Sequence, residues 1–185
     1  AEIGNATAVR TLIDQGADVN SRDNFGRTAL IISSLAGKTD VVRLLAPRTA
    51  DINARSSKGM NSLFVAADAG HAEIVTILLD HKADIHAKQD KNWTALLIAA
   101  FRGHTPVVRI LLDRGADLHA RTVDQFTAFM VACHEGKQET AELLLAKGAD
   151  VNTASSTGWT SLMLAASRDR VAIARILLNK GADPN

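Results

Sequence analysis

The sequence is poor in the residues that tie a chain to most specialised classes. Among 185 residues it has one Cys, three Pro and no Tyr. A lone Cys makes no internal disulfide, so the fold does not depend on an oxidising compartment. No stretch reaches the roughly 18 apolar residues of a membrane helix, and mean hydropathy is only +0.03. Neither sign of charge is in excess: 21 Lys and Arg stand against 20 Asp and Glu, a net charge of +1. A phosphate binder normally carries a basic surplus on one face, so nucleic acid is not an expected partner. No basic-then-apolar segment reads as a signal peptide, and a cytoplasmic or nuclear location is expected. The chain starts at Ala1 without a Met and reads as trimmed. Cys pairs, His-Glu-x-x-His spacing and Gly-rich phosphate loops are all missing, so neither metal nor cofactor is expected.

What the sequence does have is a repeat. Asp18-Val19-Asn20, Asp51-Ile52-Asn53, Asp84-Ile85-His86, Asp117-Leu118-His119, Asp150-Val151-Asn152 and Asp183-Pro184-Asn185 recur every 33 residues without an insertion. The same step relates Thr28-Ala29-Leu30, Asn61-Ser62-Leu63, Thr94-Ala95-Leu96, Thr127-Ala128-Phe129 and Thr160-Ser161-Leu162. It also relates Gly37, Gly70, Gly103 and Gly136, then breaks at Asp169. The expected organisation is a single domain over 1–185. A partial repeat at 1–19 precedes full repeats at 20–52, 53–86, 87–119, 120–152 and 153–185. Each unit encodes two short helices. In the unit starting at Ala87, Thr94 caps the first, Leu96 to Ala100 form its apolar body, and Gly103 ends it. Pro106 sits in the first turn of the second, where its missing N–H costs nothing. Small residues (Ala66, Ala67, Ala99, Ala100, Ala132, Cys133, Ala165, Ala166) let neighbouring helices approach closely. No unit can bury its apolar face alone, so the units must stack, and an all-α solenoid follows.

These residues resemble the ankyrin repeat family. The resemblance is carried by Gly-x-Thr-x-Leu at Gly26–Leu30 and Gly158–Leu162, and by Ala-Ala-x-x-Gly-His at Ala66–His71 and Ala99–His104. Leu-Leu-x-x-Gly-Ala-Asp at Leu111–Asp117, Leu144–Asp150 and Leu177–Asp183 completes it. It implies antiparallel helix pairs with hairpin-like loops projecting from them, and recognition of a protein or extended peptide through a concave groove. The family's Thr-Pro-Leu-His is nowhere intact. Ile31, Phe64, Leu97, Met130 and Met163 stand at the His position, which exchanges hydrogen bonds for apolar packing. Thr49 and Lys82 replace the Gly that ends the second helix, and Pro47 stops its helix early, so those two connections are expected to be irregular. Asp169-Arg170 replaces Gly-His in the last unit, and both ends read as cut from a longer array. The hairpin Asn20, Asn53 and Asn152 match the family position at which asparaginyl hydroxylation can occur. Their expected role is to close their own loops through side-chain hydrogen bonds.

Nothing in the pattern suggests catalysis. His71 and His104 fall at the family's second-helix N-terminus, where a structural role is expected. His86 and His119 replace the hairpin Asn. Cys133 occupies a small-residue packing position, and burial there makes a thiol inert. His134 follows it, but successive helix residues point roughly 100° apart, so the two do not pair.

In a repeat, the positions that vary are free for function. The chain's seven aromatics are five Phe and two Trp. Five of them (Phe25, Trp93, Phe101, Phe126 and Trp159) fall on loop tips or on the exposed side of a first helix. One row, just before the capping residue, runs Arg27, Met60, Trp93, Phe126, Trp159. Equivalent positions in stacked units lie roughly 8–10 Å apart, so the row is expected to form an apolar stripe. Asp90, Arg102, His134 and Arg168, with Asp68, Asp124 and Glu135, would rim it. Exposed apolar stripes with polar rims mark interaction surfaces, and self-association through such a patch is a further outcome. The alternatives are that each aromatic only covers its neighbour's loop, or that the array is an architectural spacer.

Overall fold

Each 33-residue step becomes one helix pair because a capping side chain at the same repeat position starts every first helix. Thr28, Asn61, Thr94, Thr127 and Thr160 all hold extended backbone, and their side-chain oxygens accept from the N–H three residues on. A cap of this kind contributes about 1 kcal/mol. The structure, a computed structural model, describes the backbone of residues 2–184 and the side chains of residues 6–184. It divides into two compact units, Ala1–Ile85 and His86–Asn185. The first holds α1 (Glu2–Asp14), α2 (Ala29–Leu35), α3 (Thr39–Leu45), α4 (Ser62–Ala69) and α5 (Ala72–Asp80). The second holds α6 (Ala95–Arg102), α7 (Thr105–Asp113), α8 (Ala128–His134), α9 (Gln138–Ala146), α10 (Ser161–Ser167) and α11 (Val171–Asn179). Among the described residues, no helix is long and apolar enough to cross a membrane.

Within each unit, first helices pack on first helices: α2 on α4, and α6 on α8 on α10. Second helices form a parallel row, α1–α3–α5 in one unit and α7–α9–α11 in the other. The first helices α4, α6 and α8 are sealed on nearly every side, with Ala66, Ala67, Ala99, Ala100, Ala132 and Cys133 fully buried. A helix apolar all round is a core helix. At the position where the family carries His, Ile31, Phe64, Leu97 and Met130 are all buried. Burying each contributes about 1.5–3 kcal/mol. Met163 occupies the same position in α10 but is 43% exposed.

The turn from first to second helix shows why glycine recurs there. At Gly37 φ is +69°, and a Cβ would fall 2.7 Å from the His71 ring of the next repeat. That ring is fixed by a 3.2 Å hydrogen bond between Nε2 and the Leu35 carbonyl. His71 is therefore a joint between repeats, the structural role expected of it. After α10 Asp169 adopts the glycine conformation itself, with φ +54°, and the Arg170 N–H still reaches the Ala165 carbonyl at 2.8 Å.

Two expectations need correction. The connection at Lys82 is regular. Lys82 takes φ +66°, and its N–H and that of Ala83 bond to Leu79 and Leu78 as those of Gly115 and Ala116 bond to Leu112 and Leu111. The neighbouring hydrogen bonds outweigh the conformational cost of a side chain there. Only the Thr49 connection is irregular: α3 ends at Leu45, and a 3-10 turn, Ala46–Arg48, carries Pro47. The hairpin asparagines also act differently. The aspartate two residues earlier closes each loop: the Asn20, Asn53 and Asn152 N–H groups donate to Asp18, Asp51 and Asp150 Oδ1, each at 2.9 Å. That frees the Asn side chains to reach the next repeat. Asn20, Asn53 and Asn152 Oδ1 accept from the backbone N–H of Ala50, Asp84 and Asp183 at 2.8, 2.7 and 2.9 Å. They are staples between repeats, not loop closures.

Candidate functional site: two aromatic clefts

The row that begins at Arg27 is built by the loops. Each row residue accepts a backbone hydrogen bond from the residue four before it. Asp23, Ser56, Gln89, Thr122 and Ser155 donate to Arg27, Met60, Trp93, Phe126 and Trp159 at 2.7–3.0 Å. In four of the five loops the side chain of that earlier residue returns the bond. Asp23 Oδ1, Ser56 Oγ, Thr122 Oγ1 and Ser155 Oγ accept from the row residue's N–H at 2.9–3.2 Å. These paired bonds close the hairpin and hold the row side chain toward the first helices. Three loops also register as isolated antiparallel bridges, Arg22 with Thr28, Arg121 with Thr127 and Ala154 with Thr160.

Gln89 is the exception. Its longer side chain does not make the return bond, and the Trp93 N–H turns to the Asp90 carbonyl at 3.2 Å. The Gln89 side chain is nonetheless buried at 8% exposure, and neither its Oε1 nor its Nε2 has a hydrogen-bond partner. The tip beyond it is tightly wound, with Lys91 and Asn92 both at positive φ.

In the first unit the loop tips and first helices enclose a cleft of about 370 Å³, lined by Phe25, Arg27, Ile31, Leu35, Met60 and Val65 with loop residues 56–58. Phe25 is 62% exposed. Arg27 lies over it, its guanidinium carbon 5.0 Å from the ring centroid, and is held by Asp23 through bonds of 2.7 and 2.8 Å. Arg27 in turn keeps the Asp23 carboxyl below its ordinary range, chiefly through that side-chain hydrogen bond.

A second cleft of about 370 Å³ lies in the other unit, lined by Trp93, Phe101, Phe126 and Val131, with Thr122, Asp124, His134, Glu135 and Arg168 around them. Trp93, Phe101 and Phe126 are half-buried. Trp93 and Phe101 meet edge to face, centroids 5.7 Å apart at 87°, a favoured arrangement of two rings. His134 joins the charges at the rim. Its Nε2 accepts from Arg168 Nε at 3.1 Å, and its Nδ1 lies 2.9 Å from Glu135 Oε1. A ring with its proton on Nδ1 satisfies both contacts.

The second cleft therefore brings together Trp93, Phe101, Phe126, His134 and Arg168. Met60, Phe25 and Arg27 meet in the first. Trp159 is 43% exposed and lies outside the lining of either, as do Asp90 and Arg102. Arg102 stacks instead over Phe101, 5.6 Å from its centroid. Asp23 and Thr122 were not singled out by the sequence, although their position four residues before the row is visible in the 33-residue register.

Reactive chemistry has little to work with here. Burial pushes the Cys133 thiol up to about 12, against a smaller opposing pull from the Ser161 hydroxyl. Among the described residues no group of three or more His, Cys, Asp or Glu could hold a metal ion.

Comparison with protein-family models places four overlapping matches on the chain, at residues 1–89, 56–122, 86–155 and 115–185, all to the family described as ankyrin repeats (3 copies). A search of curated proteins found no match.

Proposed function

The chain belongs to the ankyrin repeat family, whose repeats are generally protein–protein interaction modules, and from that premise we propose that it binds a protein or extended peptide through the face carrying its loop tips and first helices, without catalysing a reaction. The observation that carries this reading is the second cleft, where three half-buried aromatic rings converge on a space open to solvent. Aromatic anchors surrounded by a polar rim dominate binding energy at protein interfaces. In this reading Trp93 and Phe126 are the main anchors and Phe101 supports them. Trp159 extends the contact beyond the cleft, and Phe25, Arg27 and Met60 provide a separate contact in the first unit. Asp90, Arg102, His134 and Arg168 form the polar rim.

A paired capture experiment tests it. One bait is the chain; the other carries Trp93→Ser, Phe126→Ser and Trp159→Ser and is matched to the first by circular dichroism. Proteins retained by the first and lost from the second support recognition through this face. Identical capture by both baits, or none by either, refutes it and leaves the array as a spacer between other elements.

A further inference from the structure

Resting on that reading, we infer that the second cleft takes an arginine side chain presented by an extended segment of the partner. The cleft offers two surfaces. Its walls are the rings of Trp93, Phe101 and Phe126 with Val131, Arg102 stacking on Phe101 from outside the lining, and the charged groups of the lining itself are two carboxylates, Asp124 and Glu135, and one guanidinium, Arg168. Arg168 is already directed to His134 and Glu135. The carboxylate left over is that of Asp124. Its backbone carbonyl accepts from both the Ser156 N–H and the Ser156 hydroxyl, at 3.1 and 3.2 Å, which tethers the loop. The exposed carboxylate itself has no partner among the described residues.

An aromatic wall with an uncompensated acid at its mouth suits a cation on an aliphatic stem. The chain shows the preferred form of that cation in its own first unit. There Arg27 lies over the Phe25 ring while Asp23 grips its guanidinium. The second cleft has the rings and the carboxylate, but the row position that holds Arg27 in the first unit holds Trp93 and Phe126 here. A planar, weakly hydrated guanidinium stacks on rings and bonds a carboxylate at once. The more strongly hydrated ammonium of lysine does this less well. The unpaired Asp124 carboxylate also disfavours an acidic side chain.

The test uses the intact chain and four small probes on short alkyl stems: n-butylguanidinium, n-butylammonium, 1-butanol and butyrate. Each is titrated against the amide and indole N–H signals of the protein by NMR. The expected result is a saturable millimolar response at the Trp93 indole and at residues 122–126. Butylguanidinium should bind about fivefold tighter than 1-butanol, with butylammonium between them and butyrate weakest. Asp124→Asn, at an exposed carboxylate without a partner, should keep the fold and bring butylguanidinium close to the level of 1-butanol. Asp40→Asn, on α3 in the other unit, should change nothing. Equal binding of 1-butanol and butylguanidinium, tighter binding of butylammonium or butyrate, an Asp124→Asn titration like the parent's, or no saturable response at the cleft would each overturn the inference. The capture experiment above is independent of these outcomes. If it still shows loss of partners in the triple variant, the interaction surface stands and only the arginine assignment falls.

Discussion

Gln89 is where the repeat's own logic works against it, so its replacement by the residue used elsewhere should stabilise the protein. The amide is buried with both polar atoms unbonded, and a buried polar group left without a partner costs about 1–3 kcal/mol. Thr122, at the same position one repeat later, is also buried but donates its backbone N–H to Phe126 and accepts the Phe126 N–H on Oγ1. Gln89→Thr removes the unbonded amide. It also offers the Trp93 N–H a side-chain acceptor, a gain at the low end of about 0.5–1.5 kcal/mol because that N–H already has the Asp90 carbonyl. Against this stands the loss of buried methylene, about 0.8 kcal/mol per group. That loss is offset in part because an ordered Gln forfeits up to about 1.5–2 kcal/mol of rotamer freedom, more than Thr does. The net expectation is a gain of about 1–3 kcal/mol. Urea unfolding measures it as a higher midpoint at unchanged slope. Hydrogen exchange at residues 89–93 should slow in parallel. Gln89→Met separates the two contributions, since it keeps the length and discards the amide; it should gain less than Thr but remain stabilising. If both variants are neutral or destabilising, the Gln89 amide is not an unpaired group in the folded protein and the reasoning fails.

Three further outcomes follow from single residues. Lys82→Gly should stabilise the first unit by about 0.5–1 kcal/mol, because about 1–2 kcal/mol of left-handed strain is relieved and about 0.4–1 is returned as freedom of the unfolded chain; thermal unfolding that shows a loss would refute the strain. The Asp23 carboxyl should titrate by NMR below the ordinary value of about 3.9, and Arg27→Gln should bring it back up. Because folding lowers the pKa of this carboxyl, the Asp23–Arg27 contribution is complete above the unfolded value and disappears as pH falls through the folded one, so an Arg27→Gln chain with an unchanged Asp23 midpoint would contradict the pairing. Cys133 should resist thiol reagents at pH 8 in the native protein and react at the rate of unfolding, and rapid labelling of folded protein would show that its burial is not maintained.

How much of this could be read beforehand depended on the kind of interaction. Helix starts, the sealed first helices and the apolar residues at the family's His position follow from periodicity, because burial acts on residue class and recurs with the repeat. Lys82 was misjudged because a propensity is a local average. At that residue the neighbouring hydrogen bonds outweigh a cost of about 1–2 kcal/mol, and a side chain sits in the glycine conformation without breaking the turn. The asparagines were misjudged for another reason. An Asn beside a loop has two chemically equivalent uses, and the choice is made by Asp18, Asp51 and Asp150, which already occupy the loop's own N–H groups.

The cleft residues show the same limit at the level of function. A 33-residue register identifies Arg27, Met60, Trp93, Phe126 and Trp159 as equivalent, and equivalence suggests one continuous stripe. Side-chain chemistry gives them different partners. Arg27 is captured by Asp23 and Phe25, Trp93 by the edge-to-face contact with Phe101, and Trp159 stands outside the lining of either cleft. What separates them is the residue four places earlier and the occupant of the adjoining first helix, and neither is conspicuous by itself. The loop-tip position, Phe25, Lys58, Lys91, Asp124 and Thr157 in successive repeats, varies in character from aromatic to basic to acidic to neutral. In the four loops closed by paired bonds the same backbone carries Phe25, Lys58, Asp124 and Thr157 alike. The choice at each repeat is then free to answer to a partner, and the single unpaired carboxylate beside three rings is where that freedom has the sharpest chemical consequence.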